Sequence, residues 1–111
     1  MSVDQRGIVD FIGTKPSGDI ELTISDHLPW DKENTHLVIL QDKINDYLDF
    51  IESGQLFESY PSAKGKIISI AVMLKYHPSG DGPEFLERCK KTITDTGLGF
   101  RWEMLIDGAT A

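Results

Sequence analysis

The side chains best suited to chemistry cluster where an alternating apolar segment gives way to an amphipathic one: Asp26, His27, Trp30, Asp31 and His36. A carboxylate beside an imidazole can bind zinc or act as a general acid and base. The spacing matches neither H-E-x-x-H nor C-x-x-C, which are strong metal signatures. The two aspartates can instead cap backbone N–H groups, His27 can hydrogen-bond the loop, and Trp30 can seal the core. The sequence favours this structural role and leaves binding and catalysis open as alternatives.

Three further motifs resemble reactive sites without completing one. Cys89 is the only cysteine, so it forms no intrachain disulfide, and its apolar helical neighbours predict a buried, unreactive thiol. The segment Lys64–Lys66 lacks the spacing of a phosphate loop, and residues 77–82 supply too few oxygens for a calcium loop. We therefore predict no catalytic residue and no cofactor, favour a protein that is not an enzyme, and leave metal binding undetermined.

Composition narrows the class of partner. The chain has 18 acidic and 11 basic residues and a net charge of −7, which disfavours nonspecific binding to nucleic acid or to anionic membranes. A basic protein partner remains compatible with this charge, as does a simple requirement for solubility. We find neither a secretory leader in residues 1–15 nor an apolar run of about 20 residues. A cytoplasmic location is the expectation.

Two segments near the start predict a β-hairpin. Residues Gly7–Thr14 are rich in β-branched and aromatic side chains, and Ile20–Ser25 alternates strictly between apolar and polar. Pro and Gly between them are typical of a turn. A helix is then predicted over Lys32–Ser53, with Asp31 capping its first turn and Gly54 ending it in the left-handed conformation.

The predicted first helix carries more apolar surface than one core needs. Six side chains share its core arc: Leu37, Leu40, Ile44, Tyr47, Leu48 and Ile51. Ile39 and Phe50 fall on a second stripe beside Lys43. The segment Leu56–Pro61 is expected to fold back over this stripe. The alternative is that a partner or a second copy covers it.

The second half of the chain predicts two strands and one helix. Gln55–Gly65 is a connector, Lys66–Tyr76 a central strand, Pro83–Thr96 a helix, and Leu98–Ile106 a half-buried strand. Asp81 and Glu84 stand at capping-box spacing before the helix. Residues 107–111 are expected to form a loose tail.

These elements define a single α+β domain over residues 1–111, in the order β-β-α-β-α-β. The predicted architecture is a two-layer sandwich: a four-stranded mixed sheet with two helices on one face. Strand order stays open. The uncovered sheet face should place Met73 between Thr23 and Arg101. The candidate interface residues are accordingly Ile39, Phe50, Met73 and Arg101, and we expect weak to moderate self-association.

Several segments together resemble a family of small uncharacterised bacterial proteins, a domain of unknown function. They are Leu22–Asp31, the stretch from His36 to Gln55, and the Tyr60–Gly65 segment with its Tyr-Pro and Ala-Lys-Gly groups. The resemblance covers most of the chain and implies a bacterial protein that folds as one unit. It implies no catalytic residues, because no activity is attached to the family.

Two functional hypotheses follow. The first is a small protein-interaction module, either a regulator or an acidic partner that neutralises a basic protein. The second is a small-molecule or metal-binding protein that uses Asp26, His27 and His36.

Overall fold

A single four-stranded sheet organises the chain. The computed structural model describes residue 9 and residues 11–104. Its elements are β1 (Phe11–Thr14), β2 (Ile20–Asp26), α1 (Thr35–Glu52), α2 (Gln55–Ser59), a 3₁₀ turn (Pro61–Ala63), β3 (Ile68–Leu74), α3 (Gly82–Asp95) and β4 (Gly99–Met104). The predicted strand residues 7, 8, 10, 105 and 106, and the predicted tail, lie outside the described residues.

The strands follow one another across the sheet in the order β1-β2-β3-β4. β1 is antiparallel to β2, as the hairpin prediction requires, and the turn is closed by the Lys15 N–H donating to the Asp19 carbonyl at 2.8 Å. β3 runs parallel to both β2 and β4. Right-handed crossovers that move in one direction place both long helices on the same face. The predicted mixed sheet and two-layer arrangement are confirmed.

Side-chain alternation places the core where the sequence predicts it. The large buried aliphatic residues of β2 and β3 are Ile20, Leu22, Ile24, Ile68, Ile70, Val72 and Leu74, and β4 adds Phe100. Arg101 and Glu103 of β4 point to the uncovered face and are exposed. The register of the last strand is thus as predicted. Full burial of each large aliphatic side chain contributes about 1.5–3 kcal/mol.

α1 begins three residues later than predicted because Asn34 breaks the helical path. Asn34 has φ 60°, the left-handed region, so the helix starts at Thr35. Asp31 still caps the first turn: its carboxylate accepts hydrogen bonds from the Thr35 N–H at 3.1 Å and the His36 N–H at 2.9 Å. The predicted end is confirmed, since Gly54 has φ 89°.

The buried face of α1 is rotated relative to the predicted arc. His36 and Lys43 are buried, whereas Leu37 and Leu48, predicted on the core arc, are only partly buried. The Tyr47 hydroxyl fixes this orientation by donating to the Thr23 carbonyl of β2 at 2.6 Å. Ile39 and Phe50 of the second stripe are partly buried and pack against the core.

The connector after α1 is more regular than predicted. It forms α2 and the 3₁₀ turn, and it buries Leu56 and Ala63 completely. Tyr60 was expected to tuck against the core and is instead 46% exposed. No helix in the described part of the chain is long and apolar enough to cross a membrane.

The N-terminus of α3 also departs from the capping-box prediction. Asp81 makes no side-chain cap; its carboxylate accepts a hydrogen bond from the Asn34 amide at 2.8 Å. This bond joins the starts of α1 and α3. Thr96, predicted on the apolar face, lies beyond the helix and is exposed.

Candidate functional site

A buried carboxylate–imidazole pair joins the end of β2 to the first turn of α1. Asp26 is the last residue of β2, and its Oδ2 lies 2.6 Å from Nε2 of His36. The two side chains are 0% and 3% exposed. The second carboxylate oxygen of Asp26 accepts the Leu28 N–H at 3.2 Å. The carboxylate is thus hydrogen-bonded on both oxygens, as burial of a charge requires.

The other ring nitrogen of His36 is left without a partner. Nε2 is hydrogen-bonded to Asp26, so Nδ1 is the ring nitrogen that needs a second partner. Nδ1 is buried and has no hydrogen-bond partner among the described residues. Buried polar atoms are rarely unpaired in native proteins. The Nδ1 of His36 is thus an exception to this rule within the described residues.

Trp30 closes this pair from the side. Its ring meets the His36 ring edge-on, with 4.2 Å between centroids and 71° between planes. The indole N–H donates to the Tyr76 carbonyl at 3.3 Å. Gly82, the first residue of α3, lies beneath the ring, and a Cβ there would come within 2.8 Å of it. Trp30 thus contacts the first turn of α1, the start of α3 and the chain just after β3.

The structure brings together only part of the predicted cluster. Asp26 and His36 meet in the interior and the partly buried Trp30 packs against His36, while His27 is exposed and Asp31 caps α1. The hydrogen bond from the His36 N–H is the main reason that the pKa of Asp31 is lowered. Within residue 9 and residues 11–104, no group of three or more His, Cys, Asp or Glu side chains is placed to hold a metal.

The uncovered sheet face carries an ion network. Arg101 of β4 binds both carboxylate oxygens of Glu21 on β2, at 2.9 and 3.0 Å, and one oxygen of Glu103 at 2.7 Å. Lys15 lies 3.5 Å from Glu21. The Arg101 hydrogen bonds lower the pKa of Glu21 and raise that of the guanidinium. Arg101, predicted as an interface residue, is thus an exposed member of a network.

Small residues allow Arg101 to reach across the central strand. Ala71 stands between Thr23 and Arg101 in the register and is fully buried despite facing outward. One row along, a Cβ on Gly99 would come within 2.8 Å of Ser69. Met73 lies in the row of Ser25 and Glu103, one row beyond the predicted position, and is partly buried.

A groove between α1 and α3 is the feature that sequence reasoning missed. It encloses about 260 Å³ and is lined by Gln41, Ile44, Asn45, Leu48, Phe85, Arg88, Cys89, Thr92 and Ile93. A second depression of about 300 Å³ shares Phe85 and Arg88 and continues towards Asn34, Leu37 and Asp81. The two depressions thus adjoin at Phe85 and Arg88.

The groove has an apolar floor and a polar rim. Ile44 and Ile93 are almost fully buried, and Leu48, Phe85 and Cys89 are partly buried. Desolvation raises the pKa of the Cys89 thiol to about 11, so the thiol is a hydrophobic contact and not a nucleophile at neutral pH. The predicted inert role of Cys89 is consistent with this environment, although the side chain is only partly buried.

A signal for the groove was present in the sequence. Leu37 and Leu48 lie at one margin of the α1 apolar arc, and Phe85 and Cys89 are apolar residues on α3. We assigned all four to the core because periodicity identifies an apolar face without showing how much of it the sheet covers.

Fold and site together define a small two-layer α+β domain with a helix-lined groove and a closed polar pair. Residues 1–106 match a family of unknown function, DUF6572, and the chain belongs to this family. The predicted resemblance to a domain of unknown function is thereby confirmed. No curated protein and no solved structure matches the chain significantly.

Proposed function

We propose that this chain is a protein-interaction module that binds a basic, amphipathic helical segment of a partner protein in the α1–α3 groove. The observation that carries the proposal is the apolar floor of that groove, which is open to the outside and bordered by the polar residues Gln41, Asn45, Arg88 and Thr92. Apolar surface with a polar rim often marks a protein contact.

The shape of the groove suits a helix. α1 forms one wall of the groove with Leu48, and α3 forms the other with Phe85. An amphipathic helix can bind in such a groove by inserting apolar side chains spaced three or four residues apart. Phe85 also lines the adjoining depression, so the groove can accept successive turns of such a helix. Filling it would cover apolar surface that the sheet leaves uncovered.

The acidic charge of the chain favours a basic partner. α1 contributes four acidic residues to this charge, none of which lines the groove itself: Asp42, Asp46, Asp49 and Glu52. Its basic residues, His36 and Lys43, are both buried. The whole chain has a net charge of −7. Complementary charge accelerates association and discriminates against acidic partners. A regulator or a neutralising partner of a basic protein, acting in the cytoplasm, fits these properties.

Photo-cross-linking tests the proposal. A photoreactive residue placed at Gln41, on the exposed rim, should cross-link one protein in cells of the source organism, through a segment with net positive charge. Leu48→Asp should reduce that product at least tenfold because a carboxylate in the groove opposes apolar contact. Val38→Asp is the matched control, since Val38 is an apolar α1 residue that is 50% exposed outside the groove. Cross-links that survive Leu48→Asp, or an acidic segment, would contradict the proposal.

A second candidate is the binding of a small molecule or metal by Asp26, His27 and His36. The unpartnered Nδ1 of His36 favours it, together with its position at the carboxyl end of parallel strand β2, where many α/β proteins bind ligands. Native mass spectrometry of the folded protein should then show a bound mass that His27→Ala reduces. An apo mass, or a bound mass unchanged by His27→Ala, would count against this candidate.

A further inference from the structure

The outer edge of β4 carries an unused backbone hydrogen-bonding ladder. β4 is the last strand of the sheet, and among the described residues no strand pairs with its outer side. Its six residues, Gly99–Met104, extend about 20 Å. An exposed edge of this length is a template for pairing with another chain unless its side chains oppose it.

We infer that a second copy of this chain pairs antiparallel with β4, so that two sheets join into one continuous sheet about a two-fold axis at Trp102. The occupant is identified by charge. Arg101 and Glu103 flank Trp102 on the uncovered face and are both exposed. With Trp102 opposite its own copy, each Arg101, which already binds Glu21 and Glu103 of its own chain, also lies opposite the other chain's Glu103.

The same charges exclude the neighbouring registers. Directly opposed residues of an antiparallel pair lie on the same side of the sheet and interact strongly. If the two-fold axis passed through Arg101 or Glu103, that residue would lie opposite its own copy and like charges would meet. If the axis passed midway between Arg101 and Trp102, these two residues would lie opposite each other, and the helices of the two copies would be on opposite faces of the sheet. Among these registers, the one centred on Trp102 pairs Arg101 with Glu103 and keeps the helices of both copies on the same face of the sheet.

The helix-facing side is also compatible with this pairing. In the same register Phe100 lies opposite Met104 of the other copy, and Trp102 and Met104 are both only partly buried in one chain. Pairing would cover these apolar edges. The other sheet edge is a poorer candidate, because β1 has four residues, Phe11–Thr14, and no charged side chain to set a register.

A six-residue edge gives a small interface, so association in the micromolar range or weaker is expected. Sedimentation equilibrium of the full chain from 10 µM to about 1 mM measures it. Glu103→Arg should raise the dimer dissociation constant at least tenfold, because two symmetric Arg–Arg oppositions replace two ion pairs. Glu87→Arg is the matched control: it makes the same charge change at an exposed α3 position and should leave association unchanged.

Mixing variants gives the decisive result. The Arg101→Glu chain presents two acids on the edge and the Glu103→Arg chain two bases, so the mixture should form heterodimers although neither chain forms homodimers. Arg101→Glu also disturbs Glu21, so its fold is checked by circular dichroism. If it does not fold, amide exchange of Gly99–Met104 in the unmodified protein supplies the second measurement and should slow as concentration rises. A monomer mass throughout, or dimers unaffected by Glu103→Arg, would overturn the inference without affecting the groove.

Discussion

Asp26 and His36 show how one hydrogen bond can hold the first turn of a helix against the end of a strand. The pair fixes the first turn of α1 against the end of β2 at 2.6 Å, and Asp31 satisfies the backbone N–H groups of the same turn. Removing one member of a buried pair leaves the other member buried without its partner. The resulting loss of stability is much larger than the net stability that the intact pair contributes.

Asp26→Ala should therefore lower the free energy of unfolding by about 3 kcal/mol or more, measured by urea denaturation at pH 7. The matched control is His27→Ala, one residue away on the exposed side, which should change it by less than about 0.5 kcal/mol. Equal effects of the two substitutions would show that the buried pair does not anchor α1.

The Glu21–Arg101 bond predicts a pH dependence with a definite sign. Arg101 lowers the pKa of Glu21 below its ordinary value of 4.5 in the folded protein. A carboxyl of this kind stabilises the fold above its unfolded pKa, and that contribution is lost as the pH falls through the folded pKa. Arg101→Met should move the Glu21 pKa upward, and stability should then fall less steeply between pH 5 and pH 2.

Side-chain carboxyl NMR titration of Glu21 and urea midpoints at several pH values measure both effects. Arg88→Met is the control, because the Arg88–Glu84 pair is 74% and 69% exposed and exposed pairs contribute little. A Glu21 titration curve that is unchanged by Arg101→Met would contradict the assignment.

At the scale of elements, the hydrophobic periodicity predicted the type of each element more accurately than its first residue. The alternation in β2, β3 and β4 fixed every inward-facing residue from Ile20 to Phe100 because the strand period is invariant. The start of α1 could not be predicted, since it depends on the left-handed Asn34 and on a bond to Asp81, which is distant in sequence. The rotated α1 face depends likewise on the Tyr47–Thr23 contact.

The close packing between α3 and Trp30 predicts that alanine at position 82 is destabilising, although helix propensity alone would favour it. Gly82 is the first residue of α3, and alanine is normally the better helix former there. A Cβ at this position would come within 2.8 Å of the Trp30 ring, so Gly82→Ala should destabilise the protein by about 1–3 kcal/mol. Thermal and urea unfolding measure the change, and tryptophan fluorescence should report displacement of the ring.

The comparison for this substitution is Glu87→Ala, at an exposed position of the same helix. It should be neutral within about 0.5 kcal/mol. A Gly82→Ala protein as stable as the parent would show that Trp30 can move freely, and its role in closing the Asp26–His36 pair would then be in doubt.

At the scale of the whole molecule, the sequence predicted the layers but not the surfaces they leave open. The fold class follows from local sequence patterns. The groove depends on how α1 and α3 pack beside each other, and the sequence of either helix alone does not determine that packing. The sequence accordingly predicts a candidate interface at Ile39, Phe50, Met73 and Arg101, of which Ile39 and Phe50 are partly buried against the core. The acidic net charge indicates a basic partner, and the α1–α3 groove is the surface at which we propose that the partner binds.

The most direct measurement is an amide NMR titration of the isotopically labelled protein with a synthetic peptide of the cross-linked partner segment. The proposal predicts the largest shift changes around Leu48, Phe85 and Cys89, with loss of binding in Leu48→Asp and retention in Val38→Asp. Changes concentrated instead at Arg101 and Thr23, or around Trp30, would place the partner elsewhere and contradict the assignment of the groove.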